Sequence, residues 1–374
     1  MSDRVWWGWN YVIWIVFSLV FLTLIVMPLT AMYLADDSSL ASSGGAKRLR
    51  QMEDFMSQGL LLFAAAWLFF LGGTFASFLN VVSWRVPRGK SILGSSRCPA
   101  CNTPLTFKDN MPFWGWLKNW GHCSTCDAPF SARYFFAELV LGLIFLTVVG
   151  TYLLTGGATL PFRDRNPWTL LNRMLLEPDA DLLLIAVCHL VALTALFTFA
   201  LIEFGRFAIP KSVFIVVMVF LLLVVIWPDA ILVPWLFPLA APSGMFAKWF
   251  AVGLGIGCGF LIGRSFDEYA EASKISLATG VHDSKLIEPI LPQSVRDDKT
   301  ESQLRFGLAV VGGFAGWQSV VVVGLIWFVL RLLFYHLPSK FGLGSPFRLA
   351  STHSLLLVAT LVHLSTWKWF EFLV

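Results

Sequence analysis

The run from Gly59 to Val82, "GLLLFAAAWLFFLGGTFASFLNVV", carries no charged residue. It exceeds the ~20 apolar residues that a helix needs to cross a bilayer. Similar runs recur along the chain, and they constrain the fold more than any other feature. In hydrocarbon the backbone must satisfy its own hydrogen bonds, which favours helices. Eight candidate spans are read at about 9–34, 59–84, 134–155, 181–203, 212–228, 246–263, 306–335 and 348–372. The expected fold is therefore an all-α polytopic membrane protein with about eight transmembrane helices. The composition agrees: 57% of residues are hydrophobic, 13% are charged and the mean hydropathy is +0.72. Soluble domains carry about twice that share of charge. The first run is too long for a signal-peptide core and reads as a retained helix.

Between the runs lie polar segments at 36–58, 85–133, 156–180, 264–305 and 336–347. With eight spans, the loops at 85–133, 204–211 and 264–305 share one side. They hold fifteen Lys and Arg, against seven in the opposite loops. The excess of positive charge predicts that the shared side is cytoplasmic. The three basic residues Lys47, Arg48 and Arg50 in the opposite 36–58 loop run against that bias. Several tryptophans (Trp6, Trp7, Trp84, Trp227 and Trp367 among them) fall near span ends, as in an interfacial aromatic belt. The net charge of +4 has no clustered basic face, so no nucleic-acid partner is expected. Membrane lipid is. No internal repeat is read.

Cys188 and Cys258 sit inside apolar runs and read as small hydrophobes. The other four cysteines stand in "RCPACNTPLTFKDNMPFWGWLKNWGHCSTCDAPFSARY", Arg97 to Tyr134. Cys98-x-x-Cys101 and Cys123-x-x-Cys126 each present two thiolates to one ion, and two such hairpins complete a tetrahedral shell. A cytoplasmic location disfavours disulfides. The module is therefore expected to hold a structural zinc, since four thiolates leave no position for a reacting water.

The order of motifs resembles bacterial prepilin peptidases, the membrane aspartyl proteases that process type IV pilins and type II secretion pseudopilins. The similarity lies in "FLGGTFASFLNVVSWRVPRG" (Phe70 to Gly89), the double-CxxC loop, "PFSARYFFAELVLGLIF" (Pro129 to Phe145) and Glu138 within it. The resemblance is strong from about Gly72 to Leu146. It implies three regions: an extra amino-terminal helix and loop at 1–58, a peptidase amino-terminal domain at 59–155 with a zinc-knuckle loop at 85–133, and a membrane-embedded peptidase-like domain at 156–374 with a cytoplasmic loop at 264–305.

The family places one catalytic aspartate in an "ID" pattern and another in a "GxGDxKL" pattern. Here the first position is Glu203, in "ALIEFGRFAIPKS", and the second is Asp283, in "GVHDSKL", with His282 where glycine is expected. Peptide hydrolysis by two carboxylates needs one ionised and one protonated, and proximity splits their affinities for protons. Both residues are predicted to face the cytosolic side. Their plain alternatives are an interfacial carboxylate paired with Arg206, for Glu203, and one acid in a charged loop, for Asp283.

Two functions follow from the resemblance. One is a prepilin peptidase of the bacterial inner membrane, cleaving prepilin or pseudopilin leaders at the cytosolic face. The other is a catalytically impaired relative acting as a zinc-containing membrane assembly or binding factor. Family members also methylate the new amino terminus, which would make S-adenosylmethionine a cofactor. No cofactor loop supports this independently: "GLGIGCGFLIG" (Gly253 to Gly263) lies inside a span, where small residues permit close helix packing.

Overall fold

The computed structural model describes residues 44–106, 108–155, 157, 160, 180–205, 207–225, 245–279, 303–341 and 352–366. These residues form α1 (Gly44–Arg85), a 3₁₀ turn (Val86–Arg88), α2 (Trp114–Lys118), α3 (Arg133–Thr155), α4 (Ala180–Phe204), α5 (Lys211–Val225), α6 (Met245–Thr279), α7 (Leu304–Phe341) and α8 (Thr352–Thr366). No strand forms among them; two isolated bridges occur in the cysteine loop. Three segments are long and apolar enough to cross a membrane: Leu62–Arg88, Arg133–Tyr152 and Ala180–Phe204. The run at 9–34 lies outside the described residues.

Two polar segments read as loops are partly helical. Helix α1 begins at Gly44, inside 36–58, and α6 continues to Thr279, inside 264–305. The sequences "AKRLRQMEDFMSQ" and "DEYAEASK" are rich in Ala, Glu, Lys, Arg, Leu and Gln, the strong helix formers. Their charge ends the apolar run without ending the helix.

Close backbone approach builds two seams. At the α1–α3 seam, a Cβ on Gly72 would stand 2.7 Å from the Leu141 carbonyl oxygen, and one on Gly142 would stand 2.8 Å from that of Phe69. At the α6–α7 seam, Gly255, Gly259 and Gly263 lie against the backbone at Gly312, Leu308 and Arg305. The four-residue spacing sets these glycines on one face of α6. The helix-packing reading of that stretch is the structural one.

Helix α7 departs from the expected topology. His353 Nε2 meets the Gln303 carbonyl oxygen at 3.1 Å, while Trp327 Nε1 donates to the Thr352 carbonyl oxygen at 3.0 Å. Phe266 meets Trp327 edge-on and Phe328 at a tilt, while the neighbouring Asp267 bonds Leu304 and Arg305. A straight helix would hold Leu304 and Trp327 about 35 Å apart. Instead α7 doubles back, and its bend brings Val320 to within 3.0 Å of where a Gly312 Cβ would stand. The bend coincides with "GGFAGWQS", Gly312 to Ser319, whose glycines and serine favour a sharp kink. The span expected at 306–335 is thus not one straight helix but a hairpin whose two arms lie side by side.

The tip of this hairpin enters a buried polar cluster. Ser319 Oγ lies 2.9 Å from His363 Nε2 of α8, and the Phe314 ring meets His189 of α4 edge-on. The Tyr152 hydroxyl of α3 hydrogen-bonds His189 Nδ1. At the other end of the bundle, Arg133 bonds Leu201, Ile209 bonds Gln303, and Asp267 bonds Leu304. The helix ends flanking the three Lys/Arg-rich segments therefore gather at one end.

Candidate metal centre and candidate active site

The four cysteines converge. All four Sγ atoms lie within 4.8 Å of one another, with Cys98–Cys126 at 3.8 Å and Cys101–Cys123 at 4.0 Å. A tetrahedron with Zn–S bonds of ~2.3 Å has edges of roughly 3.8 Å. The donor set and spacing fit one tetrahedral ion.

Backbone bonding explains the convergence and reveals a repeat that the sequence reading missed. The Cys98 N–H donates to Thr103, and the Asn102 N–H to Cys98. The Cys123 N–H donates to Ala128, and the Asp127 N–H to Cys123. Arg97 bridges Pro104, as His122 bridges Pro129. Leu105 bonds Ser96, as Phe130 bonds Gly121. Asn102 (φ 56°) and Asp127 (φ 57°) both adopt the left-handed conformation, which Asn and Asp tolerate best after glycine. Thus "CPACNTP" and "CSTCDAP" are two copies of one knuckle.

The thiols are unequal. Hydrogen bonds from the Thr103 side chain and backbone lower Cys101 to about 6. The Thr125 and Cys126 backbone amides lower Cys123. At Cys126 the Ala128 amide favours the thiolate, but sharing with Cys101, desolvation and the other thiols push it up to about 12. Four sulfurs this close resist ionising together unless a cation sits among them.

The module is fastened to the helices through Phe113. Its N–H donates to the Glu138 carboxylate of α3 at 2.8 Å. Its ring stacks on Phe69 at 4.7 Å and presses on Gly73 of α1. Asp109 organises the adjoining turn by accepting from Thr106 (2.6 Å), Asn119 (2.9 Å) and Ser124 (3.3 Å), and by pairing with Lys118 at 3.5 Å. Those bonds, Thr106 first and Asn119 next, lower its carboxyl to about 2.

Glu203 ends α4 and grips the start of α8. Its Oε1 accepts from the Thr352 N–H at 2.8 Å, and its Oε2 from the His353 N–H at 2.9 Å. His353 Nδ1 lies 2.9 Å from the same Oε2. These are the orphan donors and positive pole of a helix N-terminus, where a carboxylate is favoured. Both His353 ring nitrogens face acceptors, the Glu203 carboxylate and the Gln303 carbonyl. The Glu203 side chain retains 24% exposure, against 1% for His353, so one side of the carboxylate stays accessible.

Among the described residues Glu203 is paired with His353; Arg206, considered as its partner from sequence, and Asp283 lie outside the described residues. Sequence reasoning missed His353, Thr352, Gln303 and Asp109. For His353 the only signal was an ionisable residue at the start of an apolar run. Asp267 also went unassigned, although its carboxylate caps α7 as Glu203 caps α8.

Residues 70–152 match the bacterial peptidase A24 N-terminal domain. That segment of the chain is similar to the amino-terminal domain of bacterial prepilin peptidases. A prepilin leader peptidase/N-methyltransferase of Myxococcus xanthus is 45% identical over 82 residues, covering 22% of this chain and 24% of that protein. One of Klebsiella pneumoniae is 34% identical over 116 residues, covering 29% and 50%. One of Aeromonas hydrophila is 45% identical over 56 residues, covering 15% and 19%. The chain thus aligns with half or less of the length of these relatives. No solved structure matches.

Proposed function

We propose that this chain is a prepilin peptidase: a membrane aspartyl endopeptidase that removes the leader from type IV prepilins or type II pseudopilins at the cytosolic face of the bacterial inner membrane. The observation that carries the reading is the four-cysteine segment, which lies within the match to the bacterial peptidase A24 N-terminal domain and gathers its four sulfurs around one point. The ion proposed there is zinc, held by Cys98, Cys101, Cys123 and Cys126 in a structural role. The cytoplasm is the proposed compartment for the cysteine-bearing end, on the charge bias.

The proposed chemistry uses Glu203 and Asp283. Two backbone amides and the His353 ring hold the Glu203 carboxylate in place. Glu203 is then the base that takes a proton from water, and Asp283 the acid that donates to the departing amine. N-methylation of the mature terminus, part of the relatives' names, is a second expected activity that would require S-adenosylmethionine.

One observation favours the second reading, an impaired relative serving assembly. Glu203 stands where the family pattern has aspartate, and its three bonds fix α8. The test is co-expression of a prepilin with wild type, Asp283→Asn and Glu203→Asp, scored by leader removal. Processing by wild type that Asp283→Asn abolishes supports the peptidase. Processing that survives Asp283→Asn sinks the dyad, and no processing by wild type supports the assembly role. Glu203→Asp restores the family residue, and it separates a catalytic carboxylate, which tolerates the change, from a helix clamp, which does not.

A further inference from the structure

The segment Met111–Trp120 sits lower on the helices than a surface loop should. Helices α1 and α3 run antiparallel, with charged ends at Arg85, Arg88 and Arg133, and Arg133 reaches Ser83 at 3.5 Å. Phe113 contacts α1 at Gly73 and Phe69, 12 and 16 residues before Arg85. At ~1.5 Å per residue those contacts lie roughly 18 and 24 Å down the helix. On α3 the anchor is Glu138, five residues below Arg133. Phe113 therefore inserts beside parts of α1 and α3 long and apolar enough to lie in a membrane.

The backbone of this segment is suited to that depth. The N–H groups of Phe113, Trp114, Gly115, Leu117, Trp120 and Gly121 all find acceptors within the protein. Non-helical backbone at membrane depth requires such internal satisfaction, and the buried Glu138 supplies it at the one residue that begins the turn. The outward side chains are apolar: Trp114, Leu117 and Trp120 are 58%, 45% and 81% exposed. Trp114 and Leu117 share a face of α2, and Trp120 follows its end. Helix α1, against which Phe113 packs, also exposes Phe63, Trp67 and Phe70. Lys118, whose ammonium pairs with Asp109, has the long stem that lets a charge reach the headgroups.

We infer that Met111–Trp120 is a re-entrant wedge of the cysteine module, with Trp114, Leu117 and Trp120 buried among the lipid acyl chains of the leaflet on the Arg85/Arg133 side. The bilayer that α1 and α3 cross is the occupant of this face. The metal site is thereby held against the membrane surface and is not carried on a free loop.

The test places the photo-crosslinker benzoylphenylalanine at Leu117 or Trp120 of the full chain, with Ala100 at a knuckle tip as the control. The proteins are reconstituted in phosphatidylethanolamine/phosphatidylglycerol nanodiscs and analysed by mass spectrometry. Lipid adducts at 117 and 120, with none at 100, are expected. Adducts to protein in their place, or none at either position, overturn the inference. A second measurement leaves the chain unaltered: hydroxyl-radical footprinting in nanodiscs. Trp120 should escape oxidation despite its exposure on the protein surface, and oxidation to the level of a free tryptophan overturns the wedge.

Discussion

The two carboxylate-anchored regions of this protein are built on different length scales. In the cysteine module, the backbone bonds that shape each knuckle join residues no more than nine positions apart, and the two knuckles are copies of one pattern. At Glu203 the bonds reach Thr352 and His353, 149 and 150 positions away. The module writes its geometry into a short motif. The Glu203 site exists only because α7 doubles back and lets α8 begin at the end of α4. A chain can therefore keep the first region recognisable while the second is re-cut one contact at a time.

Removing ligands from the module should give the largest effect. Cys98→Ser with Cys126→Ser should abolish bound metal, measured by elemental analysis, and unfold residues 97–130. Structural zinc contributes on the order of 10 kcal/mol to such folds. A module that stays protease-resistant without metal would show that the repeat alone suffices and would break the contrast.

Next in size is the Glu203 clamp. Glu203→Gln takes the carboxylate from the buried His353 ring and from the first two amides of α8, and breaking such a buried contact costs about 3–5 kcal/mol. Denaturant unfolding in detergent measures it, and a double-mutant cycle with His353→Gln should show strong coupling. Additive effects would mean that the two residues act separately.

A smaller effect tests the α6–α7 seam on which the doubled-back hairpin rests. Gly259→Ala pushes a methyl into the Leu308 backbone and should destabilise by about 1–3 kcal/mol. Gly253→Ala meets nothing within 4 Å and should be neutral or slightly stabilising in the same melt.

The smallest effect is a proton equilibrium at Asp109. Its folded value of about 2 lies below the ordinary 3.8. Its contribution to stability is therefore complete above the ordinary value and is lost as pH falls through about 2. The carboxyl ¹³C shift of Asp109 should titrate near 2; a midpoint near 3.8 would show that the turn does not hold it.

Much of the fold was legible because apolar runs report membrane helices directly, and the CxxC pairs report a ligand set by spacing alone. What escaped has a physical reason in each case. The 25-residue repeat is carried by backbone bonds and by Asn102 and Asp127, so few identical letters mark it. The hairpin in α7 is apolar along both arms, and a hydropathy pattern cannot distinguish one long helix from two short ones. His353 pairs with Glu203 across 150 positions, and no local pattern encodes a partner so distant.

A hairpin that enters and leaves by one face contributes nothing to the parity of crossings. Every segment after it is inserted with the opposite sense to that of a through-going helix: α8 starts beside Gln303 and runs away from it. The side assigned to whatever follows such a fold therefore rests on the turn and not on the number of apolar runs.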